Sequence, residues 1–463
     1  MSAASNRQMT MIAFLQAQNC SNLPGSWRYP ASMSDFMSPE YYQRIGRVLE
    51  DGKFHMAFFD DRLAMPDIYT NDHAQTVAHG VRAVKMDPTT IVMAMAMATR
   101  RLGLGATYST TYYEPYHVAR VFATLDLMTK GRCAWNVVTS LNNSEALNFG
   151  HEEHLEHDLR YDRADEFMKV VMGHWSTWDD DALIVDKAEG RFADPAKVRR
   201  LDHKGQFFQS RGPFTVPRSP QGHPVLLQAG QSGRGKSFAA QWAEVIFVVY
   251  PNLAAGQKQY AEFKAAVAEA GRNPDEVHIA PACYVVVGES ADAAAEKKAV
   301  IESTARPIDG LVLLSEVLNY DFGSKPMDDP FSDEELAAMS WHGFRDRVVS
   351  LSGKKNPTVR DFVEFSGRGT IKEHHTFAGT PKMVADQMEE WFSGGACDGF
   401  VLAATHMPGS YEDFARLVVP ELQRRGLYHK DYAGDTLREN LGIRRPSAAD
   451  CRKAAAPLQG KSS

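Results

Sequence analysis

Short apolar runs alternate with helix-like segments along most of the chain. Eight of the runs predict β-strands, at 9–15, 54–59, 102–109, 134–139, 224–228, 245–250, 279–287 and 400–404. Helical spacing of apolar residues lies between them, for example at 41–49, 161–175 and 411–425. Strands that alternate with helices form right-handed βαβ units and a parallel sheet. We therefore expect an α/β fold in which eight strands close into a (β/α)8 TIM barrel.

The spacing of the predicted strands is uneven. Long insertions follow strands 2, 4 and 7, and the longest covers about 290–396. In a TIM barrel such segments build the face at the carboxyl ends of the strands, where active sites lie. We expect one barrel domain over 1–442, with 290–396 as a lid, and a mobile C-terminal tail over 443–463.

Composition narrows the function classes. A net charge of −7 argues against nucleic acid and anionic membranes as partners. Apolar runs stay well below the roughly 20 residues of a transmembrane helix, and the N-terminal run is too short for a signal peptide. The five cysteines are scattered without C-x-x-C spacing, which is typical of reduced thiols. These features predict a cytoplasmic protein without membrane or nucleic-acid contacts.

The segment 225–237, VLLQAGQSGRGKS, has the layout of a phosphate site: strand, glycine-rich turn, helix. Residues 230–237 match G-x-x-x-x-G-K-[ST], the P-loop of ATPases. However, four predicted strands precede this loop, and the next strand ends without the aspartate that holds magnesium. A phosphate can also be held by Ser232 and by the backbone N–H groups of Gly233 and Arg234. A P-loop ATPase therefore stays open as an alternative function.

Six longer motifs point in one direction. They are KFHMAFFDDRLA (53–64), LGLGATYSTTYYEPYHVARVFATLD (102–126), GRCAWNVVTSLNNSEALNFG (131–150), HLEHDLRYDRADEF (154–167), RGPFTVPRSPQGHPVLLQAGQS (211–232) and the segment 400–442. Together they resemble the bacterial-luciferase-like FMN-dependent monooxygenases, in particular the group of nitrilotriacetate and dibenzothiophene sulfone monooxygenases. The resemblance covers about 9–442 and is weakest at 300–375.

The resemblance implies the oxygenase component of a two-component system. Such an enzyme receives reduced FMN (FMNH₂) from a separate NAD(P)H-dependent flavin reductase and uses O₂ to insert one oxygen atom into a small organic substrate. The sequence has no G-x-G-x-x-G fingerprint opening a βαβ unit, which agrees with an external reductase. We expect a homodimer or homotetramer. A flavin-binding relative without turnover is the remaining alternative.

The resemblance also implies six cofactor-binding residues, namely Asp61, Thr107, Asn136, His157, Tyr161 and Ser232. Asp61 and Thr107 follow or end predicted strands, where a barrel places its site residues. His157 and Tyr161 lie four residues apart on one helical face, and Ser232 lies in the phosphate loop. Four of them also have a structural interpretation: a helix cap for Asp61 or Ser232, a β-favoured residue for Thr107, and an internally bonded amide for Asn136.

His151, His154 and His157 are candidate metal ligands. Their spacing is H-x-x-H-x-x-H, but nothing in the sequence completes a ligand set, so we predict no metal.

The substrate is less well specified. Aromatic residues at or near strand ends predict a pocket lined by some of Phe58, Phe59, Tyr108, Tyr112, Tyr113, Tyr116 and Phe247. Sulfone monooxygenases of the group carry two histidines where this chain has Asn22 and Val317, so no catalytic base is assigned. The predicted pocket has no obvious Arg or Lys cluster for a polycarboxylate. We therefore expect an apolar substrate of the aromatic, heteroaromatic or organosulfur kind.

Overall fold

Eight parallel strands form a closed barrel in the computed structural model, which describes residues 7–230 and 233–456, without the side chain of His342. The strands of the chain are β1 (Thr10–Gln16), β2 (Met56–Asp60), β3 (Gly103–Ser109), β4 (Cys133–Val138), β5 (Leu183–Asp186), β6 (Arg191–Ala193), β7 (His203–Lys204), β8 (Gln209–Ser210), β9 (Val225–Gln228), β10 (Val245–Val248), β11 (His278–Val287), β12 (His375–Gly379) and β13 (Gly399–Ala403). The barrel order is β1-β2-β3-β4-β9-β10-β11-β13, and β13 closes onto β1. The predicted TIM barrel is confirmed, and each predicted strand overlaps a barrel strand.

Helices connect the strands and cover the barrel. They are α1 (Pro39–Asp51), α2 (Ala74–His79), α3 (Pro88–Ala96), α4 (Pro115–Met128), α5 (Asn143–Asn148), α6 (His157–Trp175), α7 (Gly233–Trp242), α8 (Leu253–Glu269), α9 (Ala291–Ser303), α10 (Pro307–Leu318), α11 (Asp333–Ala338), α12 (His342–Ser352), α13 (Val359–Ser366), α14 (Pro381–Ser393), α15 (Gly409–Asp413), α16 (Val419–Arg424), α17 (Leu437–Leu441) and α18 (Ala448–Ala455). In the parts of the chain described above, no helix combines the length and hydrophobicity that crossing a membrane requires.

Alternation along the strands divides the core in two. Ile12 and Phe14 of β1 and Phe58 of β2 belong to a cluster inside the barrel, whereas Ala13 and Phe59 pack outward against the helices. Side chains of a strand point alternately to its two faces. Polar residues at the inward positions near the strand ends therefore face the barrel mouth.

The insertion after β11 is joined to the barrel by β12, a strand that the sequence pattern does not predict. β12 pairs in parallel with the second half of β11, from Cys283↔His375 to Val287↔Gly379, while β10 pairs with the first half. β12 thus continues the line of β10 beyond its end. The pairing fixes His375–Gly379 of the insertion to β11. A lid formed by 290–396 stays a prediction.

The C-terminal segment contains a helix that the sequence pattern does not predict. Within the tail expected from 443, Cys451 of α18 is fully buried, and α18 lies against α6. This helix is short, and its few apolar residues lie among charged ones. Its composition alone therefore predicts a tail. The mobility of 443–463 stays a prediction. Residues 457–463 lie outside the described part.

Candidate active site

A cavity of about 320 Å³ lies at the carboxyl ends of the barrel strands. The strands contribute Phe14, Phe58, Thr107, Asn136, Gln228 and Phe247. The insertion after β11 contributes Val317, Trp341, Arg368, Glu373 and His374. The cavity therefore lies where barrel enzymes hold their active sites, between the barrel and the insertion.

Thr107 and Asn136 form a polar pair on neighbouring strands. Thr107 Oγ1 donates to the carbonyl oxygen of Phe59 across 2.7 Å and accepts from Asn136 Nδ2 across 2.8 Å. Because the Thr107 proton is engaged, the Asn136 amide has to donate here, which leaves Oδ1 as an acceptor. That oxygen is buried and has no hydrogen-bond partner among the described residues. An unpaired buried acceptor costs about 1–3 kcal/mol, so the site calls for a ligand that donates.

Asp61 also lines the cavity, directly after β2. Burial raises its pKa to about 8, and the nearby Lys85 charge only partly opposes this. Its neighbour Asp60 is paired instead with Lys85, at 2.5 Å. At neutral pH Asp61 is therefore mainly a neutral acid with a proton to donate, whereas Asp60 is an ion-pair partner.

Tyr161 brings the phosphate loop and helix α6 together. It is buried, lines the cavity, and lies so close to the start of α7 that a Cβ on Gly235 would be 2.8 Å from the Tyr161 hydroxyl. A glycine at 235 thus permits this approach. His157 lies one turn earlier, exposed, with its ring centroid 5.2 Å from that of Tyr161. Ser232 lies outside the described residues.

The two basic residues of the loop are engaged away from the cavity. Lys236 pairs with Glu262 at 2.9 Å, and Arg234 pairs with Asp162 and Asp165. A P-loop lysine must reach the β- and γ-phosphates of a nucleotide. The contact of Lys236 with α8 therefore argues against the ATPase alternative.

The three histidines considered as metal ligands are engaged separately or exposed. His154 Nδ1 lies 2.6 Å from the Tyr112 hydroxyl, and His157 Nδ1 lies 2.9 Å from Asp158 Oδ1. Across 7–230 and 233–456, no group of three or more His, Cys, Asp or Glu side chains is arranged to hold a metal ion.

The expected absence of an arginine cluster is wrong. Arg62, Arg82 and Arg368 all line the cavity, together with Glu373 and His374. Composition and periodicity do not reveal these residues because they come from loops and from the insertion. The signal in the sequence that could have revealed Glu373 and His374 was the polar run EHH at 373–375, directly before a short apolar run.

Of the seven aromatic candidates, Phe58 and Phe247 line the cavity. Tyr108 stacks on Tyr113, and its hydroxyl donates to Asp87 at 2.9 Å. Phe59 packs in the outer core. A larger groove of about 640 Å³ lies beside α6 and α18, but it contains none of the predicted site residues.

Comparisons with known proteins agree with this arrangement. The sequence profile of the luciferase-like monooxygenases matches residues 10–397. Dibenzothiophene-sulfone monooxygenase from Rhodococcus erythropolis is 45% identical over 453 residues, covering 95% of this chain and 98% of that protein.

Two further relatives extend the comparison. Nitrilotriacetate monooxygenase component A from Aminobacter aminovorans is 38% identical, covering 95% of this chain and 98% of its own. The crystal structure of a riboflavin lyase with modified FMN and riboflavin superposes with a TM-score of 0.87 at 30% identity, covering 97% of this chain and 99% of that one.

Proposed function

Because the chain belongs to the luciferase-like monooxygenase family, we propose that it is the oxygenase component of a two-component flavin-dependent monooxygenase. Reduced FMN would come from a separate NAD(P)H:flavin reductase. With O₂, the reaction would convert the substrate to a product with one added oxygen atom, giving FMN and water. The observation that carries this proposal is the cavity itself, into which Asp61, Thr107, Asn136 and Tyr161 converge.

The donor and acceptor set of the cavity is suited to FMN. The unpaired Asn136 Oδ1 can accept from a ring N–H, and the neutral Asp61 can donate to a ring or ribityl oxygen. Tyr161 and the N-terminus of α7 would hold the phosphate, as a helix start favours an anion. His157 would act at the rim, and Ser232 would add a hydroxyl at the phosphate.

The flavin, when bound, supplies the chemistry that activates O₂. The protein positions the flavin and keeps water away from the site. Phe14, Phe58 and Phe247 form an apolar surface inside the barrel, and Val317 and Trp341 of the insertion also line the cavity. A dry site protects reactive groups from water.

The test is a turnover assay of the full chain with FMN, NADH and an added flavin reductase. Candidate organic substrates, both neutral and anionic, are screened by mass spectrometry for the gain of one oxygen atom. Product formation that requires both the chain and the reductase is expected. Binding of FMN without any product across the screen would favour a flavin-binding relative without turnover, and ATP binding without FMN binding would favour the P-loop alternative. The homodimer or homotetramer is tested separately by light scattering.

A further inference from the structure

The cavity has two unlike walls. One, here called the apolar wall, consists of Phe14, Phe58, Phe247 and Val317. The other, here called the basic wall, consists of Asn22, Arg62, Arg82, Arg368, Glu373 and His374. Apolar pockets with a few convergent polar groups orient a ligand by those groups. The charged groups of the basic wall therefore help to determine which substrate the cavity binds.

Two of the three arginines already have a carboxylate partner. Arg62 Nη1 lies 3.0 Å from Glu316 Oε1, and Arg368 is paired with Glu373. These contacts neutralise the two guanidinium groups locally. Neither Arg62 nor Arg368 is therefore the first candidate to bind an anionic ligand.

Arg82 differs from both. It is 7% exposed, and its Nη2 donates to the carbonyl oxygen and to Oδ1 of Asn22, at 3.2 and 3.3 Å. Both acceptors are neutral, and no carboxylate in the described part of the chain forms an ion pair with Arg82. A buried charge is expensive unless it is paired. Arg82 is thus a cation that lacks a contact anion.

The surroundings keep Arg82 charged. Burial alone would lower its pKa, but the charges of Glu316, Glu373 and Asp60 raise it overall. Each of these carboxylates has its own contact cation: Arg62 for Glu316, Arg368 for Glu373 and Lys85 for Asp60. Their fields stabilise the ionised guanidinium without occupying its hydrogen-bonding positions.

Asn22 extends the basic wall to His374. Because Asn22 Oδ1 accepts from Arg82, its Nδ2 donates to the Tyr284 hydroxyl at 2.7 Å and to His374 Nε2 at 3.2 Å. His374 therefore carries its proton on Nδ1 when neutral. That nitrogen is buried and without a partner among the described residues. A cation and an unpaired N–H donor thus flank Asn22.

We propose that the cavity binds an organic substrate carrying a carboxylate, which pairs with Arg82 beside Asn22 and His374 while the remainder of the substrate lies against the apolar wall. This inference rests on the proposed monooxygenase function and names its substrate class. The planar guanidinium matches a carboxylate in geometry as well as charge. A second source of negative charge is the reduced flavin ring, and the experiment below separates the two.

The experiment compares carboxylates with their neutral amides. Isothermal titration calorimetry measures binding of phenylthioacetate, benzoate and succinate, and of the corresponding amides, to the full chain with and without oxidised FMN. We expect at least one carboxylate to bind with a Kd below about 10 mM and about tenfold more tightly than its amide. Arg82→Gln removes the preference, Arg82→Lys retains part of it, and Arg47→Gln, an exposed residue of α1, leaves it unchanged.

Three results would overturn the inference. They are no binding of any carboxylate to the wild-type chain, equal affinities for carboxylate and amide, or an unchanged preference in a folded Arg82→Gln variant. Weakened binding of reduced FMN by Arg82→Gln, measured anaerobically by fluorescence, with the carboxylate preference intact, would assign Arg82 to the flavin instead. If the proposed function itself fails, wild-type FMN binding or product formation is lost, which is a separate readout.

Discussion

The Asn136 amide is oriented by Thr107: Nδ2 donates to Oγ1 across 2.8 Å, and the opposite atom, Oδ1, is left without a partner among the described residues. The Thr107 hydroxyl can accept this bond because its own proton goes to the carbonyl oxygen of Phe59. Two neighbouring strands thus fix one acceptor at the mouth of the barrel.

Replacing Thr107 by valine should weaken FMN binding. The variant removes the acceptor for Asn136 Nδ2, so the amide loses its fixed orientation, and we expect the Kd of FMN to rise about 5- to 20-fold. Fluorescence titration of FMN measures it. Thr99→Val is the matched control, since Thr99 is also buried and its hydroxyl donates to the Met95 carbonyl outside the cavity. An equal effect in both variants would indicate a loss of stability only.

Asp61→Asn should change how stability depends on pH. The pKa of Asp61 is about 8 in the folded chain, raised by burial from a usual value of 3.8. Between these values the folded state keeps a proton that the unfolded state has released, so stability falls as pH rises. Asparagine removes this dependence. The Tm of Asp61→Asn minus that of the wild type should therefore be larger at about pH 9 than at about pH 5.

The control for this measurement is Asp51→Asn, an exposed residue at the end of α1. Its Tm difference should stay constant over the same range. A constant difference for Asp61→Asn as well would mean that Asp61 is ionised in the folded chain throughout.

Tyr161→Phe should discriminate between FMN and riboflavin. The hydroxyl faces the start of α7, where the phosphate is proposed to lie, so its removal should weaken FMN binding about 5- to 20-fold and riboflavin binding less than about twofold. Calorimetric titrations of both flavins test this. Ser232→Ala should behave in the same way. Tyr108→Phe, whose hydroxyl bonds Asp87, should alter neither affinity; equal losses for both flavins in Tyr161→Phe would remove the phosphate assignment.

Arg438→Met should destabilise the whole chain. Arg438 of α17 pairs with Glu244 through both of its Nη atoms: Nη1 contacts Oε1, and Nη2 donates to Oε2 at 2.9 Å. Both side chains are largely buried. Leaving Glu244 unpaired should lower the free energy of unfolding by about 3–5 kcal/mol, measured by urea titration. Arg424→Met, which removes an exposed guanidinium paired with Glu421, should leave the free energy of unfolding nearly unchanged.

The same pair has a pH signature. Burial would raise the pKa of Glu244, but Arg438 lowers it to about 2 from a usual value of 4.5. Its contribution to stability is present above the unfolded value and is lost as pH falls towards about 2. A wild-type stability that is flat across this acidic range would contradict the assignment.

The barrel was predictable because its strands are short apolar runs separated by helices. Thr107 and Asn136 could be named because the motifs around them resemble the family, and the alternation of β3 and β4 places both side chains inward. Arg82 could not be named from the sequence. It lies in a turn with φ of 55°, where no hydrophobic periodicity indicates which way its side chain points. Glu373 and His374 are placed by the pairing of β12 with β11, which joins segments about ninety residues apart and leaves no local signal.

The C-terminal helix shows a signal that was present but not used. Ser447 and Asp450 form a capping box at the start of α18, a pattern readable from sequence. The short helix after it carries small residues and one cysteine, which resemble a tail by composition. Its burial follows from the complementary face of α6, which only the folded chain reveals.

Cofactor binding and substrate preference depend on different parts of the chain, which meet where β12 pairs with β11. The proposed flavin-binding residues come from the barrel strands, from helix α6 and from the segments that follow β2 and β9 in sequence, whereas Arg368, Glu373 and His374 belong to the insertion, which pairs with the barrel sheet through β12. Exchanging 304–374 between relatives would then transplant part of the substrate preference while leaving cofactor affinity in place. Chimeric enzymes built at the edge of β12 are the natural way to diversify this scaffold.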